Sequence, residues 1–143
     1  MRLLARREHS PRELRLKLEQ RGFLPGAIQP GLEQLREQGY LSEARFAESL
    51  ARHRLSQGYG ELRIRAELRQ HELGSELIGQ AVDALDADWP ELAAAQARRH
   101  FGTLPDRPDA RQRIQRYLIQ RGFPPAAVRA ALSGSLERGD IEG

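Results

Sequence analysis

His71-Glu72-Leu73-Gly74-Ser75 opens like a zinc-binding helix, in which two imidazoles one turn apart grip the metal and the glutamate beside them serves as a base. Ser75 stands where the second imidazole is required, so this pattern grips no metal. Gly58-Tyr59-Gly60 begins like a dinucleotide-binding fingerprint, yet Arg63 replaces the third glycine and no strand-like segment precedes it. It reads instead as a joint between helices. There is no Walker-type phosphate loop, and His9, His53, His71 and His100 are scattered over different expected helices. Nothing nominates a nucleophile with its base. With no cysteine, disulfide frameworks and thiolate metal sites are excluded. The expectation is a protein without an active site, a metal or a cofactor.

The arginines are what remains with chemistry to offer. Lys plus Arg exceed Asp plus Glu by only 23 to 20, a net charge of +3, so the distribution matters more than the total. Residues 98–121 carry seven arginines against Asp106 and Asp109, whereas residues 72–91 carry six carboxylates and no basic residue. Lys17 is the only lysine, so the exposed cations bring the bidentate guanidinium geometry that suits phosphates and carboxylates. Arg52, Arg63, Arg65, Arg69, Arg111, Arg113 and Arg116 are the candidate binding residues, expected to form a basic stripe for a polyanion or an acidic protein surface. A charge run is ordinarily a solvated helix face; its recurrence on repeat-related helices is what nominates this one. Trp89, the sole tryptophan, reads as an apolar staple between the second and third repeats.

These side chains need helices to carry them. Aromatics are only 6% of the chain and charged residues 30%, which favours helices with thin apolar stripes over a sheet sandwich. Ser10-Pro11-Arg12-Glu13 is a capping box with proline at the first helical position. Leu14, Leu18 and the stem of Arg21 are expected on its inner face, with Gly22 ending the helix and Pro25-Gly26 turning the chain. Gly39 ends the next helix, Ser42 caps the one after, and Gly58 closes that one. Leu62, Ile64, Leu68 and Leu73 carry a further apolar pattern. Asp88-Trp89-Pro90 starts a helix with Phe101 facing inward; Gly102–Pro108 reads as a loop, and Asp109 with Gln112 as a second capping box. A short opening helix is expected over Arg2–Glu8, and a last helix is expected to run through Leu132.

The skeleton recurs every fifty residues. Leu14, Ile64 and Ile114 correspond, as do Leu18, Leu68 and Leu118, then Phe23, Leu73 and Phe123, then Ile28, Ile78 and Val128. Arg21-Gly22-Phe23 returns as Arg121-Gly122-Phe123, while the middle copy reads His71-Glu72-Leu73. With Glu72 in place of glycine, Gly74 is expected to take the left-handed conformation there. A repeat of this length implies small helical units that bury their apolar faces on one another. The expected organisation is all-α: tandem three-helix repeats over residues 1–39, 40–87 and 88–133, stacked into an elongated array, followed by a loose tail over 134–143. No apolar run approaches the roughly 20 residues that span a bilayer, and the expected location is the cytoplasm.

Several segments together resemble the RecX recombination regulators. Arg7-Glu8-His9-Ser10 with Glu13-Leu14 and Lys17-Leu18 is similar to the family's opening. Gly39-Tyr40-Leu41, Arg45-Phe46-Ala47, Gly58-Tyr59-Gly60 and Ile64 resemble its most characteristic segment. Asp88-Trp89, then Arg113-Ile114-Gln115-Arg116-Tyr117-Leu118 and Arg121-Gly122-Phe123, resemble its third repeat. The resemblance runs in order over nearly the whole chain and departs at the N-terminus and at Glu72. It implies a curved, all-helical array that binds the RecA recombinase filament and modulates it, mainly by inhibiting its ATPase, strand-exchange and coprotease activities in recombination, DNA repair and the SOS response. DNA, single- or double-stranded and without sequence preference, is a second implied contact, and the protein is expected to be a monomer. A sequence-specific DNA-binding regulator is the alternative reading, because short helices at tight joints imitate helix-turn-helix units.

Overall fold

A computed structural model describes residues 7–102 and 107–142. The expected opening helix lies outside these residues up to position 6, and Arg7 and Glu8 are not helical. Residues 103–106 of the expected loop also lie outside them. The described residues form eight helices: α1 (Pro11–Gln20), α2 (Pro25–Glu37), α3 (Glu43–Ser56), α4 (Glu61–Gln70), α5 (Ser75–Asp83), α6 (Trp89–Phe101), α7 (Pro108–Gln120) and α8 (Pro125–Glu142). They gather into two compact units, one of Met1–Arg52 with Ala66–Leu85, the other of His53–Arg65 with Asp86–Gly143.

The starts follow local chemistry. At α1 the Ser10 side chain accepts from the Glu13 amide while the Glu13 carboxylate accepts from the Ser10 amide, closing the capping box. Ser42 accepts from the Arg45 amide at 3.2 Å ahead of α3, and Asp88 accepts from the Glu91 amide at 3.2 Å at α6. The box expected at Asp109 and Gln112 does not form. Pro108, whose fixed φ suits the first helical position, starts α7 after Arg107, which makes no side-chain cap bond. Asp109 therefore sits in the first turn, where a carboxylate complements the helix dipole. The backbone of α8 continues as helix past Leu132 to Glu142, since no proline follows Pro125 and Leu136, Glu137 and Arg138 are good helix formers.

The fifty-residue period reappears in the backbone. Helices α1, α4 and α7 end at Gln20, Gln70 and Gln120, and the helices after them begin at Pro25, Ser75 and Pro125. In each joint the middle residue is left-handed: Gly22 at φ +87°, Glu72 at +64° and Gly122 at +96°. Phe23 and Phe123 donate their amides to Leu18 and Leu118 carbonyls at 3.1 Å, closing the helix ends. Gly74 does not take the left-handed role expected of it; it is the N-cap of α5 at φ −69°. Glu72 adopts the conformation itself, at a steric cost glycine does not carry, with both carboxylate oxygens held by Arg15 at 2.9 Å.

Two of these joints receive the start of another helix, one in each unit. In the first unit Ser10, fully buried, places its hydroxyl 2.8 Å from the His71 ring. In the second unit the amides of Gly60 and Leu62 donate to the carbonyls of Arg121 and Gly122 at 2.9 and 2.8 Å. The approach leaves no room for a side chain: a Cβ on Gly60 would lie 2.5 and 2.6 Å from the carbonyl carbon and oxygen of Gly122. Ser10 and Gly60 are fifty residues apart, as are the joints they meet.

The second unit has a core of Ala93, Ala94, Ala97, Ile114, Leu118, Phe123, Val128, Ala131 and Leu132, where alanines on α6 admit α8 at close range. Trp89 meets Phe123 edge-on at 6.4 Å and so fills this core rather than stapling two repeats. In the first unit Leu14, Ile28, Leu32 and Leu41 cluster, with Leu18 and Leu35 at the margin. Several apolar expectations fail at the surface. Arg21 is exposed, Leu62 is 47% exposed and Phe101 38%. Phe23 is 52% exposed although its counterparts Leu73 and Phe123 are buried. No helix among the described residues is long and apolar enough to cross a membrane.

The two kinds of joint glycine give a direct test. Gly60→Ala forces a methyl group into backbone and is expected to cost about 2–3 kcal/mol. Gly22→Ala meets nothing within 4 Å and carries only the left-handed penalty of about 1 kcal/mol. Thermal unfolding of the two variants checks this; equal losses would contradict the docked start at Gly60.

Candidate functional site

The candidate arginines fall into groups set by helix geometry. Arg52 is exposed on α3 and pairs with Glu48 one turn back at 3.8 Å. On α4, at about 100° per residue, Arg65 and Arg69 lie about 40° apart, while Arg63 lies more than about 100° from both. Arg65 is half-buried and bound through Nε to Glu61 at 2.8 Å, so part of its charge is already answered. Arg63 packs over the Tyr59 ring at 4.5 Å, and its backbone amide lies against Gly122. On α7, Arg113 and Arg116 are exposed and about 60° apart around the helix, while Arg111 lies on the far side. Arg111 is half-buried and lines an open groove of about 620 Å³ with Pro108, Gln112, Gln115, Arg129, Leu132 and Ser133. The seven therefore do not share one helix face. Arg113 and Arg116 are the pair set side by side and exposed.

Sequence reasoning passed over a second group. Arg121 reaches back from the joint after α7 to the carbonyls of Gln57 and Gly58, and its guanidinium lies 4.0 Å over the Tyr59 ring. Carbonyls at a helix end attract such a cation, and the aromatic face adds to the attraction. Tyr117 stacks on His100 at 4.0 Å and meets Phe101 edge-on at 5.2 Å. Gln96, buried, donates its amide to the Tyr117 hydroxyl at 2.9 Å. The signal for Arg121 was the recurrence of Arg-Gly-Phe, which reads as spacing until the backbone shows what the arginine touches.

The histidine of the failed zinc pattern turns out to hold a docking contact. Ser10 accepts from the Glu13 amide, and its hydroxyl, which keeps one donor and one further acceptor site, also bonds Nδ1 of His71 at 2.8 Å. Phe46 covers that ring at 4.7 Å. Burial lowers the pKa of His71, with the Arg12 and Arg7 charges adding to it. His9, 2% exposed, is lowered by burial and then by Arg7 and Lys17. Its Nδ1 faces the Arg7 carbonyl at 3.0 Å and its Nε2 the Lys17 ammonium at 3.3 Å, the arrangement of a neutral ring that donates at one nitrogen and accepts at the other. For Glu13, burial favours the neutral acid, but hydrogen bonds from Arg7 and the Ser10 amide outweigh it and lower the pKa. No group of three metal-ligating side chains occurs among the described residues.

Helix joints repeated three times and cations displayed on helix faces define a tandem three-helix-domain protein. The first, second and third three-helix domains of RecX match residues 1–35, 42–82 and 86–132. The Regulatory protein RecX of Halorhodospira halophila is 44% identical over 139 residues, 96% of this chain and 86% of that one. The protein of the same name from Pseudomonas putida strain GB-1 is 45% identical over 135 residues, 94% of this chain and 86% of the relative. The crystal structure of RecX from Lactobacillus salivarius superposes with a TM-score of 0.80 over 94% of this chain and 90% of that one, at 16% identity. The chain belongs to the RecX family, and these relatives are named as regulatory proteins.

Buried His9 and half-buried His71 set a pH dependence. Both are held below their ordinary value of 6.5 in the folded state, so their contribution is fully present above about pH 6.5 and is lost as pH falls through the folded values. Glu13, depressed below 4.5, acts only at lower pH. The melting temperature is expected to fall between pH 7 and 5.5, and His71→Asn, though less stable throughout, to flatten that slope. A wild-type melting temperature that is constant or rises on acidification over this range would contradict the assignment.

Proposed function

We propose that this protein regulates the RecA recombinase by binding its nucleoprotein filament, chiefly inhibiting ATP hydrolysis, strand exchange and coprotease activity. Membership of the RecX family over nearly the whole chain carries this reading. Regulation here works by occupation rather than by chemistry. Several weak contacts from successive repeats, taken as residues 1–39, 40–87 and 88–133, add through high effective concentration once the first is made. The protein acts as a cytoplasmic monomer without cofactor.

Arg113 and Arg116 are the cations best suited to the partner surface. Both are exposed and adjacent on α7, whereas Arg65 is bound to Glu61 and Arg63, though exposed, lies over the Tyr59 ring. Exposed guanidiniums side by side suit acidic side chains or filament DNA phosphates equally. Direct DNA contact is the second part of the proposal, favoured by these two arginines; it would be weak, indifferent to sequence and salt-sensitive.

Substoichiometric protein is expected to suppress the ATPase of RecA on single-stranded DNA. Arg113→Glu with Arg116→Glu should raise the concentration for half-inhibition about tenfold or more with little change in melting temperature. Full inhibition by the double variant would remove this pair from the mechanism, and no inhibition by the wild type would remove the function itself.

A further inference from the structure

The first repeat carries a joint built like the other two but left open. Arg21-Gly22-Phe23 has the left-handed glycine and the closing amide bond of Arg121-Gly122-Phe123. The third-repeat joint receives a helix corner in a specific way. Arg121 binds the carbonyls of Gln57 and Gly58 and lies over Tyr59, and the carbonyls of Arg121 and Gly122 accept from the amides of Gly60 and Leu62. The second-repeat joint receives the start of α1 through Ser10. At the first joint the corresponding side chains face solvent. Arg21 is exposed, Phe23 is 52% and Leu24 75% exposed, and a Cβ on Gly22 would meet nothing within 4 Å, whereas one on Gly122 would collide with Arg63.

We infer that Arg21, Gly22 and Phe23 form a docking surface for a helix corner of a partner protein: a helix end, a tight turn, and a new helix starting at glycine or serine. The two joints already filled define the occupant. It must present terminal carbonyls to Arg21, an apolar or aromatic residue to Phe23 and Leu24, and free amides of a helix start to the carbonyls of residues 21 and 22. The cap must be small, because Ser10 and Gly60 are the residues buried at the filled joints.

At the register of the two filled joints, a second copy of this chain has no free helix start to offer. Ser10 and Gly60 are already engaged, and their counterpart fifty residues on, Ala110, lies inside α7, which begins a turn earlier at Pro108. At that register the occupant is a different protein. Resting on the proposed function, it is a subunit of the RecA filament.

The test uses the full chain, with Phe23→Asp and Arg21→Glu as separate variants, and measures affinity for RecA filaments assembled on single-stranded DNA. Both substitutions are at exposed positions, so melting temperatures should hold near the wild-type value. The inference expects each to weaken binding about tenfold or more, as removing an anchor from an interface does. Wild-type affinity in both variants overturns the docking surface and leaves the regulatory function standing. Absence of binding by the wild type overturns both. Sedimentation of the chain alone supplies the other outcome: self-association that Phe23→Asp abolishes makes the occupant a second copy and overturns the assignment to a partner.

Discussion

The structure depends on a close approach between the start of one helix and the left-handed end of another. Helix starts carry amides with no partner inside the helix, and helix ends carry carbonyls in the same condition. Bringing the two together answers both at once, provided that no side chain stands between them. Gly60 meets that condition by having no Cβ, and Ser10 meets it with a hydroxyl that serves its own helix cap and the His71 ring together. In the second unit the contact is made by backbone amides and carbonyls, and in the first by the Ser10 hydroxyl and the His71 ring, next to Phe123 and Leu14 of the two apolar clusters.

This way of building leaves the surface free for binding. The polar groups that look capable of chemistry are engaged in structure: His71 with Ser10, Glu72 with Arg15, Arg121 with helix-end carbonyls. Charge on α7 and apolar area at the first joint are among the features that remain outward. A protein that acts by binding needs surfaces of this kind and tolerates scaffold residues that resemble catalytic motifs in isolation. The near-match at His71-Glu72 is an example, since its two polar side chains point to different partners, Ser10 and Arg15.

Much of the fold was legible because the punctuation repeats. Ser10, Gly39, Ser42, Gly58 and Asp88 mark helix boundaries by rules that act within a few residues, and the apolar register at intervals of fifty follows from the same helices being used again. Legibility failed where a residue's environment is set from far along the chain. Glu72 takes a left-handed conformation because the joint geometry is fixed by its surroundings, whereas local propensity assigned that role to Gly74. Phe23 matches Phe123 in sequence but not in burial, because the covering helix start comes from elsewhere. The candidate stripe was legible only as a list of arginines. Whether a guanidinium is displayed, as at Arg113, or bound, as at Arg65, depends on its place around the helix and on its neighbours.

Hydrogen exchange at the amides of Gly60 and Leu62 tests the central claim most directly. Donation to the carbonyls of the 121–122 joint predicts protection approaching that of core amides such as Leu118, because these two groups open only when the docked helix start leaves. Exchange at the rate of solvent-exposed turns would contradict it, and with it the account of how the repeats are joined.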